Sequence, residues 1–391
     1  MTKNRVSRDQ TSRYLGMMSG TSVDGVDAIV VDFDPTGRFS TIASQFTPYP
    51  SDLRKAINSL AQNKGTLDAS IVEKLDIILA HFYSDAALRL LADHQINHES
   101  VTAIANHGQT IRHEPNANPP RSLQIGDPAT IASRSNIRTI AQFRQADMTA
   151  GGQGAPLMPA FHSHYFRNDR NRIILNIGGI ANITVLNAAA ESSTFGFDTG
   201  PGNTLLDQWI FEHQGERYDA NGNWASSHSH DPQLLSTFLA DPYFHLPHPK
   251  STGPDYFNLE WLNRIFPKLT QLDPGVVQAT LLELTAESIR QSVLECAPAS
   301  QEIFVCGGGA HNTHLMNRMI DIFSDSGIRL AVTEELGVPA DWVEALGFAW
   351  LGYCFDEKIP SNLPSVTGAQ KKVVLGESFP AAECLSESAK I

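Results

Sequence analysis

An acid sits in the stretch Gly196-Phe197-Asp198-Thr199-Gly200-Pro201-Gly202-Asn203, between an apolar run and a helical pattern. A carboxylate at a strand end, in a glycine-rich turn, can take a proton from a hydroxyl or a water. The same residues also suit an Asx turn or a helix cap, the common use of Asp before Gly and Pro. Two other strings suit phosphate. Ser19-Gly20-Thr21-Ser22-Val23-Asp24-Gly25-Val26-Asp27 combines small residues, hydroxyls and backbone N–H groups that can approach phosphate oxygens. Its Asp24 and Asp27 can reach Mg²⁺ directly or through water. Asn176-Ile177-Gly178-Gly179-Ile180-Ala181-Asn182-Ile183-Thr184 offers the same chemistry, and two such turns can clamp a polyphosphate from both sides. Each is equally an ordinary turn that needs glycine. A third glycine turn, Gly307-Gly308-Gly309, lies between a strand pattern and a helical one, where a flat ring or a phosphate can lie against the backbone. It meets neither GxGxxG nor GxxxxGK[ST].

Further polar residues fall at predicted strand ends, where α/β sheets bind ligands. They are Asn106-His107-Gly108-Gln109-Thr110 and Arg144-Gln145-Ala146-Asp147. A lone His in such a place is more often a hydrogen-bonded structural residue than a catalyst. His228, His230 and Asp231 have metal-like spacing but lie in an irregular loop and read as solvated surface. Glu344 opens a helix, where an acid suits the helix dipole. Neither a GxSxG elbow nor an HExxH helix occurs, so hydrolase routes through them lose support.

These residues need strands and helices to hold them. Residues 14–18, 26–33 and 39–46 read as strands, with a hairpin joining the first two. Residues 68–94 are helical, with Val72, Leu75, Leu79, Phe82, Ala86 and Leu90 at three- and four-residue steps. Residues 101–105 read as a buried strand, and 127–133 as the opening of a helix with Pro128 in its first turn. The stretch 144–160 is rich in Gly and Pro and reads as the crossing between domains. The pattern then restarts with strands at 172–176, 181–186 and 193–197 and a helix from 202. Residues 216–258 read as an irregular insertion, a surface lobe or lid. Helices follow at 276–295, 313–324 and 344–353, strands at 303–305 and 373–375. Strand, glycine turn, strand thus occurs twice, which suggests two domains on one plan.

The chain has 391 residues, which suits two domains rather than one core. Its net charge of −13 (29 basic against 42 acidic residues) argues against non-specific binding to nucleic acid or anionic lipid. The four cysteines form no CxxC pair, which fits a reducing compartment. No apolar run approaches the ~20 residues of a membrane span, and the polar start, MTKNRVSRDQTS, lacks the apolar stretch of a signal peptide.

In their order, the strings at 16–27, 106–110, 144–157, 176–184, 196–203, 305–312 and 337–345 resemble the anhydro-N-acetylmuramic acid kinase family. The resemblance implies an α/β fold of two similar actin-like, ribonuclease H-like domains flanking a nucleotide cleft. The domains are expected at 1–143 plus about 350–391, and at 144–349 with the insertion 216–258. It implies ATP and Mg²⁺, a cytoplasmic homodimer, and peptidoglycan recycling. The implied reaction is conversion of 1,6-anhydro-N-acetylmuramic acid, ATP and water to N-acetylmuramic acid 6-phosphate and ADP. By match to the family pattern, Gly20, Thr21, Ser22, Val23, Asp24, Gly25, Val26 and Asp27 contact ATP, with Gly178, Gly179, Gly307, Gly308 and Gly309 completing its site. Asp198 is the general base. Glu344, His107, Arg144, Asp147 and Gln153 contact the sugar. One departure stands out: residues 250–255 read Lys-Ser-Thr-Gly-Pro-Asp, where the family usually shows Lys-Ser-Thr-Gly-Arg-Glu. On the residues alone, a nucleotide-switched ATPase, an ATP-independent glycosidase and a kinase for another sugar remain alternatives.

Overall fold

In the computed structural model the described residues are 11–20, 22–63 and 65–381, with Ser192 described by its backbone alone. Thr21, Cys384 and residues 1–10 lie outside them. The chain divides into two compact units, Met1–Phe161 with Glu344–Ile391, and His162–Val343.

The first unit is built on β1 (Ser12–Ser19), β2 (Gly25–Phe33), β3 (Phe39–Pro48), β4 (Ala103–Glu114), β5 (Arg121–Ile125) and β6 (Thr139–Ala141). Its helices are α1 (Ser51–Gln62), α2 (Ala69–Asp93), α3 (Pro128–Ser135), α4 (Phe143–Thr149) and the start of α5 (Met158–Phe166). The second unit holds β7 (Arg172–Ile177), β8 (Ile180–Leu186), β9 (Phe195–Pro201), β10 (Glu302–Cys306) and β11 (Arg329–Val332). Around them lie α6 (Thr204–Gln214), α7 (Asn223–Ser226), α8 (Pro232–Leu239), α9 (Leu259–Ile265), α10 (Pro274–Cys296) and α11 (Thr313–Ser324). The chain then returns to the first unit through α12 (Val343–Glu357), α13 (Pro364–Thr367) and β12 (Glu377–Phe379).

The two sheets share one plan. The first runs β3-β2-β1-β4-β6-β12, with β5 on β4; the second runs β9-β8-β7-β10-β11. In each, the first three strands in sequence pair antiparallel, and two later strands, β4 and β6 in the first and β10 and β11 in the second, extend the sheet from the first strand in parallel. That is the ribonuclease H-like sheet of actin-like folds, present twice. The parallel strands show why: β10 is buried along its whole length, as strands covered on both faces must be. In the first unit, α12 lies directly on β1. A Cβ on Gly16 would stand 2.1 Å from the carbonyl oxygen of Ala345, so only glycine permits this approach. No helix among the described residues is long and apolar enough to cross a membrane.

Four sequence expectations differ from the structure. Residues 144–161 pack with the first unit and carry α4, so the division falls at 161/162 and 343/344. Residues 216–258 are not a detached lobe. They include α7 and α8 and bury Leu234, Phe238, Tyr243, Phe244 and Phe257 in the second core. Each full burial of such a side chain stabilises by roughly 1.5–3 kcal/mol. The strand near the end is β12, at 377–379 rather than 373–375, and β4 continues to Glu114, so Asn106–Thr110 lies within it.

Candidate active site

Asp198 sits on β9 where the strand bulges. Asn182 pairs with Asp198 but Ala181 pairs with Gly200, leaving Thr199 as the extra residue. A bulge bends a strand and re-aims the neighbouring side chain. The 250–252 loop then fixes the carboxylate. Ser251 Oγ donates to Asp198 Oδ2 at 2.9 Å and the Thr252 N–H to the same oxygen at 3.0 Å. The backbone is held as well: Asp198 N donates to the Lys250 carbonyl, and Tyr243 OH to the Asp198 carbonyl at 2.7 Å. Oδ1 accepts no hydrogen bond among the described residues. Burial pushes the carboxyl above the usual range, opposed by the Thr252 and Ser251 donors. A carboxylate fixed at one oxygen, free at the other and raised in pKa is suited to take a proton. Ser251→Ala removes a donor that holds the pKa down. The acid limb of kcat/KM against pH should therefore move to higher pH; an unmoved limb would show that Ser251 does not bear on Asp198.

Beside Asp198 in the second unit, three small-residue segments meet. The Gly178 carbonyl accepts from Asn203 N at 2.8 Å, and that of Gly179 from Gly202 N and Thr204 N. Gly307 lies against Asn176 and Ile177, and Gly309 against Ile177. The glycines differ in why they are glycine. Gly307 has φ +80°, and a Cβ on Gly202, Gly307 or Gly309 would strike protein atoms at 2.3–2.4 Å. A Cβ on Gly178, Gly179 or Gly308 would meet nothing nearer than 3.6 Å. Neither packing nor backbone conformation requires glycine at these three positions. What it leaves there is open backbone, the kind of cradle a phosphate can approach.

In the first unit, Gly20 has the same openness, with Ser22 Oγ at 3.6 Å as its nearest neighbour. The rest of that string divides. Ser22 and Asp24 are exposed and hydrogen-bonded to each other at 2.9 Å. Val23 and Val26 bury their side chains in the core, so only their backbone can meet a ligand, and Gly25 is required by packing against Thr47. Asp27 lies on β2 opposite Met18. The Thr21 expectation lies outside the described residues. Among the described residues no cluster of three or more His, Cys, Asp or Glu could hold a metal. A Mg²⁺ carried by phosphates needs only one or two carboxylates, which Asp24 and Asp27 can supply.

Of the five sugar-contact candidates, all in the first unit, the structure brings three together. Arg144 donates to His107 Nε2 through Nη2 at 2.9 Å and Nε at 3.2 Å, and to the Gly154 carbonyl at 2.8 Å. Because guanidinium only donates, Nε2 accepts and the imidazole proton sits on Nδ1. Burial, with Arg144 adding to it, drives His107 well below its ordinary pKa, so it is neutral. Burial pushes Arg144 down to about 10 while Glu344 opposes, and burial raises Glu344 while Arg144 opposes. A polar cavity of about 260 Å³ opens beside them, lined by Asn106, His107, Gln124, Asp127 and Arg144 among others.

Asp147 does not join them. It is fully buried, and its Oδ1 accepts from Asn362 at 2.7 Å and Thr367 at 2.8 Å, its Oδ2 from Gly154 N at 2.8 Å. It staples the 150–154 loop to the returning chain, with both oxygens engaged by the chain itself. Asp147→Ala strands three donors and should cost about 2–4 kcal/mol of stability in denaturant unfolding. Gln153 exposes its side chain and ties its backbone N–H to Thr367. The pair Ser251 and Thr252 was not among the expected site residues, although their string was noted for its Pro254. Asp231 is the cap of α8, and His228 packs beside Gly275, so that cluster is structural.

A family model described as anhydro-N-acetylmuramic acid kinase matches residues 12–381. The anhydro-N-acetylmuramic acid kinase of Coxiella burnetii (strain Dugway 5J108-111) is 48% identical over 370 residues, 94% of this chain and 97% of that protein. Those of Shewanella sp. (strain MR-7) and Shewanella amazonensis are 47% and 46% identical, over 94% and 95% of this chain and 98% and 99% of theirs. With the match unbroken from β1 to the end of the described residues, the chain belongs to the anhydro-N-acetylmuramic acid kinase family.

Proposed function

We propose that the chain transfers the γ-phosphoryl group of Mg-ATP to O6 of 1,6-anhydro-N-acetylmuramic acid while water opens the anhydro ring. The products are N-acetylmuramic acid 6-phosphate and ADP, and the setting is peptidoglycan recycling in the cytoplasm, by a homodimer, as the family resemblance implies. The observation that carries the reading is Asp198: one carboxylate oxygen held by Ser251 and Thr252, the other free, and a pKa raised by burial.

The anhydro sugar has no free 6-hydroxyl, so the C1–O6 bond must break. Asp198 takes a proton from water, whose oxygen bonds to C1. The C1–O6 bond breaks, O6 bonds to the γ-phosphorus, and the bond from that phosphorus to the ADP oxygen breaks. C1 passes through oxocarbenium character, as in glycoside hydrolysis. Phosphoryl transfer asks mainly for positioning and charge neutralisation. As the family resemblance implies, Gly20, Ser22, Asp24 and Asp27, and Gly178, Gly179 and Gly307–Gly309, supply backbone and carboxylates for the nucleotide and its Mg²⁺. Arg144, held by neutral His107, and Glu344 bind the sugar. Coupled ADP release tests the reading. Mg-ATP with the anhydro sugar should release ADP, and Mg-ATP with N-acetylmuramic acid should not. ADP release with neither sugar, in protein that binds ATP, would remove it.

A further inference from the structure

Beneath the first glycine hairpin runs a buried chain of hydrogen bonds. Tyr83 OH and Tyr49 OH are 2.8 Å apart, and Tyr49 OH and Ser19 Oγ 2.7 Å apart. Ser19 Oγ donates to Gln109 Oε1 at 2.7 Å and also lies 2.9 Å from the Gly25 carbonyl. Gln109 Nε2 donates to the Gly20 carbonyl at 3.1 Å. All four side chains are buried, Gln109 and Tyr83 completely. Only the Gln109 amide nitrogen can donate to a carbonyl, so its oxygen faces Ser19. The protons therefore run one way, from Tyr83 through Tyr49, Ser19 and Gln109 to the backbone of Gly20. Burial keeps both phenols protonated.

The loop that this chain supports is strained. Val23, a β-branched residue, has φ +52°, a conformation such residues rarely adopt. Its side chain is anchored in the core, and the Gly20 carbonyl that precedes it is the one Gln109 holds. Strain persists where the surroundings over-determine it, and it gathers at ligand clamps.

We infer that Gln109 is a positioning residue, which connects the Tyr83–Tyr49–Ser19 chain to the Gly20 carbonyl and holds the hairpin in the form that meets the nucleotide phosphates. The inference rests on the phosphate role proposed for that hairpin. It also separates two jobs on β4: His107 serves Arg144, and Gln109 two residues on serves the hairpin.

The test is a KM split in the full chain, with calorimetric binding of a non-hydrolysable ATP analogue. Gln109→Met keeps the volume and loses both hydrogen bonds. KM for ATP and the analogue's Kd should rise about tenfold, the change expected for a lost buried hydrogen bond, while KM for the sugar stays within about twofold. Tyr49→Phe cuts the chain one step further back and should show the same selectivity at about threefold. If Gln109→Met does not fold, Tyr49→Phe decides by the same split. Unchanged KM for ATP, or equal rises for both substrates, would overturn the positioning role. Wild-type protein that binds no nucleotide would instead overturn the phosphate reading beneath it.

Discussion

Asp198→Asn yields a folded protein that binds Mg-ATP and the anhydro sugar but turns over at least about a thousandfold more slowly, within the range for loss of a general base. Asparagine has nearly the same shape. Its amide oxygen can accept from Ser251 and the Thr252 N–H as Asp198 Oδ2 does, so the 250–252 loop keeps its place. The Lys250 and Tyr243 bonds go to the backbone and are untouched. What is lost is the ability to take a proton. Steady-state kinetics with calorimetry separate the two effects: kcat collapses while both dissociation constants stay near wild type. Residual activity above a tenth of wild type would assign the proton to another group.

The second large effect falls on binding. Gly178→Ala/Gly179→Ala should leave the melting temperature nearly unchanged and weaken nucleotide binding roughly a hundredfold. The two methyl groups would make no more than ordinary van der Waals contact, with no protein atom nearer than 3.6 Å. They therefore cost the folded chain little, yet on the proposed reading they occupy the volume of a phosphate. Gly202→Ala provides the contrast, because its Cβ would lie 2.4 Å from the Gly178 carbonyl oxygen. Overpacking of that kind should lower stability by about 1–3 kcal/mol. Equal nucleotide affinity in the double variant and wild type would show that the open glycines face no ligand.

Much of the frame was legible because its signals are local. The three- and four-residue steps of 68–94 became α2, and the strand–glycine–strand recurrence became the paired β1–β2 and β7–β8 hairpins. Pro128 fell in the first turn of its helix as expected, with Asp127 as the cap. Asp198 was expected in a turn at a strand end, but β9 runs on to Pro201 with Asp198 at its middle, and the bulge beside it has no sequence signature. Its partners were harder to find. Ser251 lies 53 residues away, and a serine hydroxyl carries no pattern that announces a carboxylate partner. Asp147 misled for the same reason in reverse. An acid beside a glycine cluster reads alike whether a ligand or the chain fills it, and here Asn362 and Thr367, 215 and 220 residues on, fill it. In 216–258, frequent Pro and His masked the aromatic anchors Phe238, Tyr243 and Phe257 that bind the segment to the core.

On the proposed mechanism, water opens the anhydro ring in the same event that phosphorylates O6. The direct measurement is turnover in ¹⁸O-labelled water, followed by mass spectrometry of the sugar phosphate and its fragments. The account predicts one labelled oxygen at C1 and none in the phosphate group. Label in the phosphate, or a phosphorylated sugar that still carries its anhydro bridge, would contradict it.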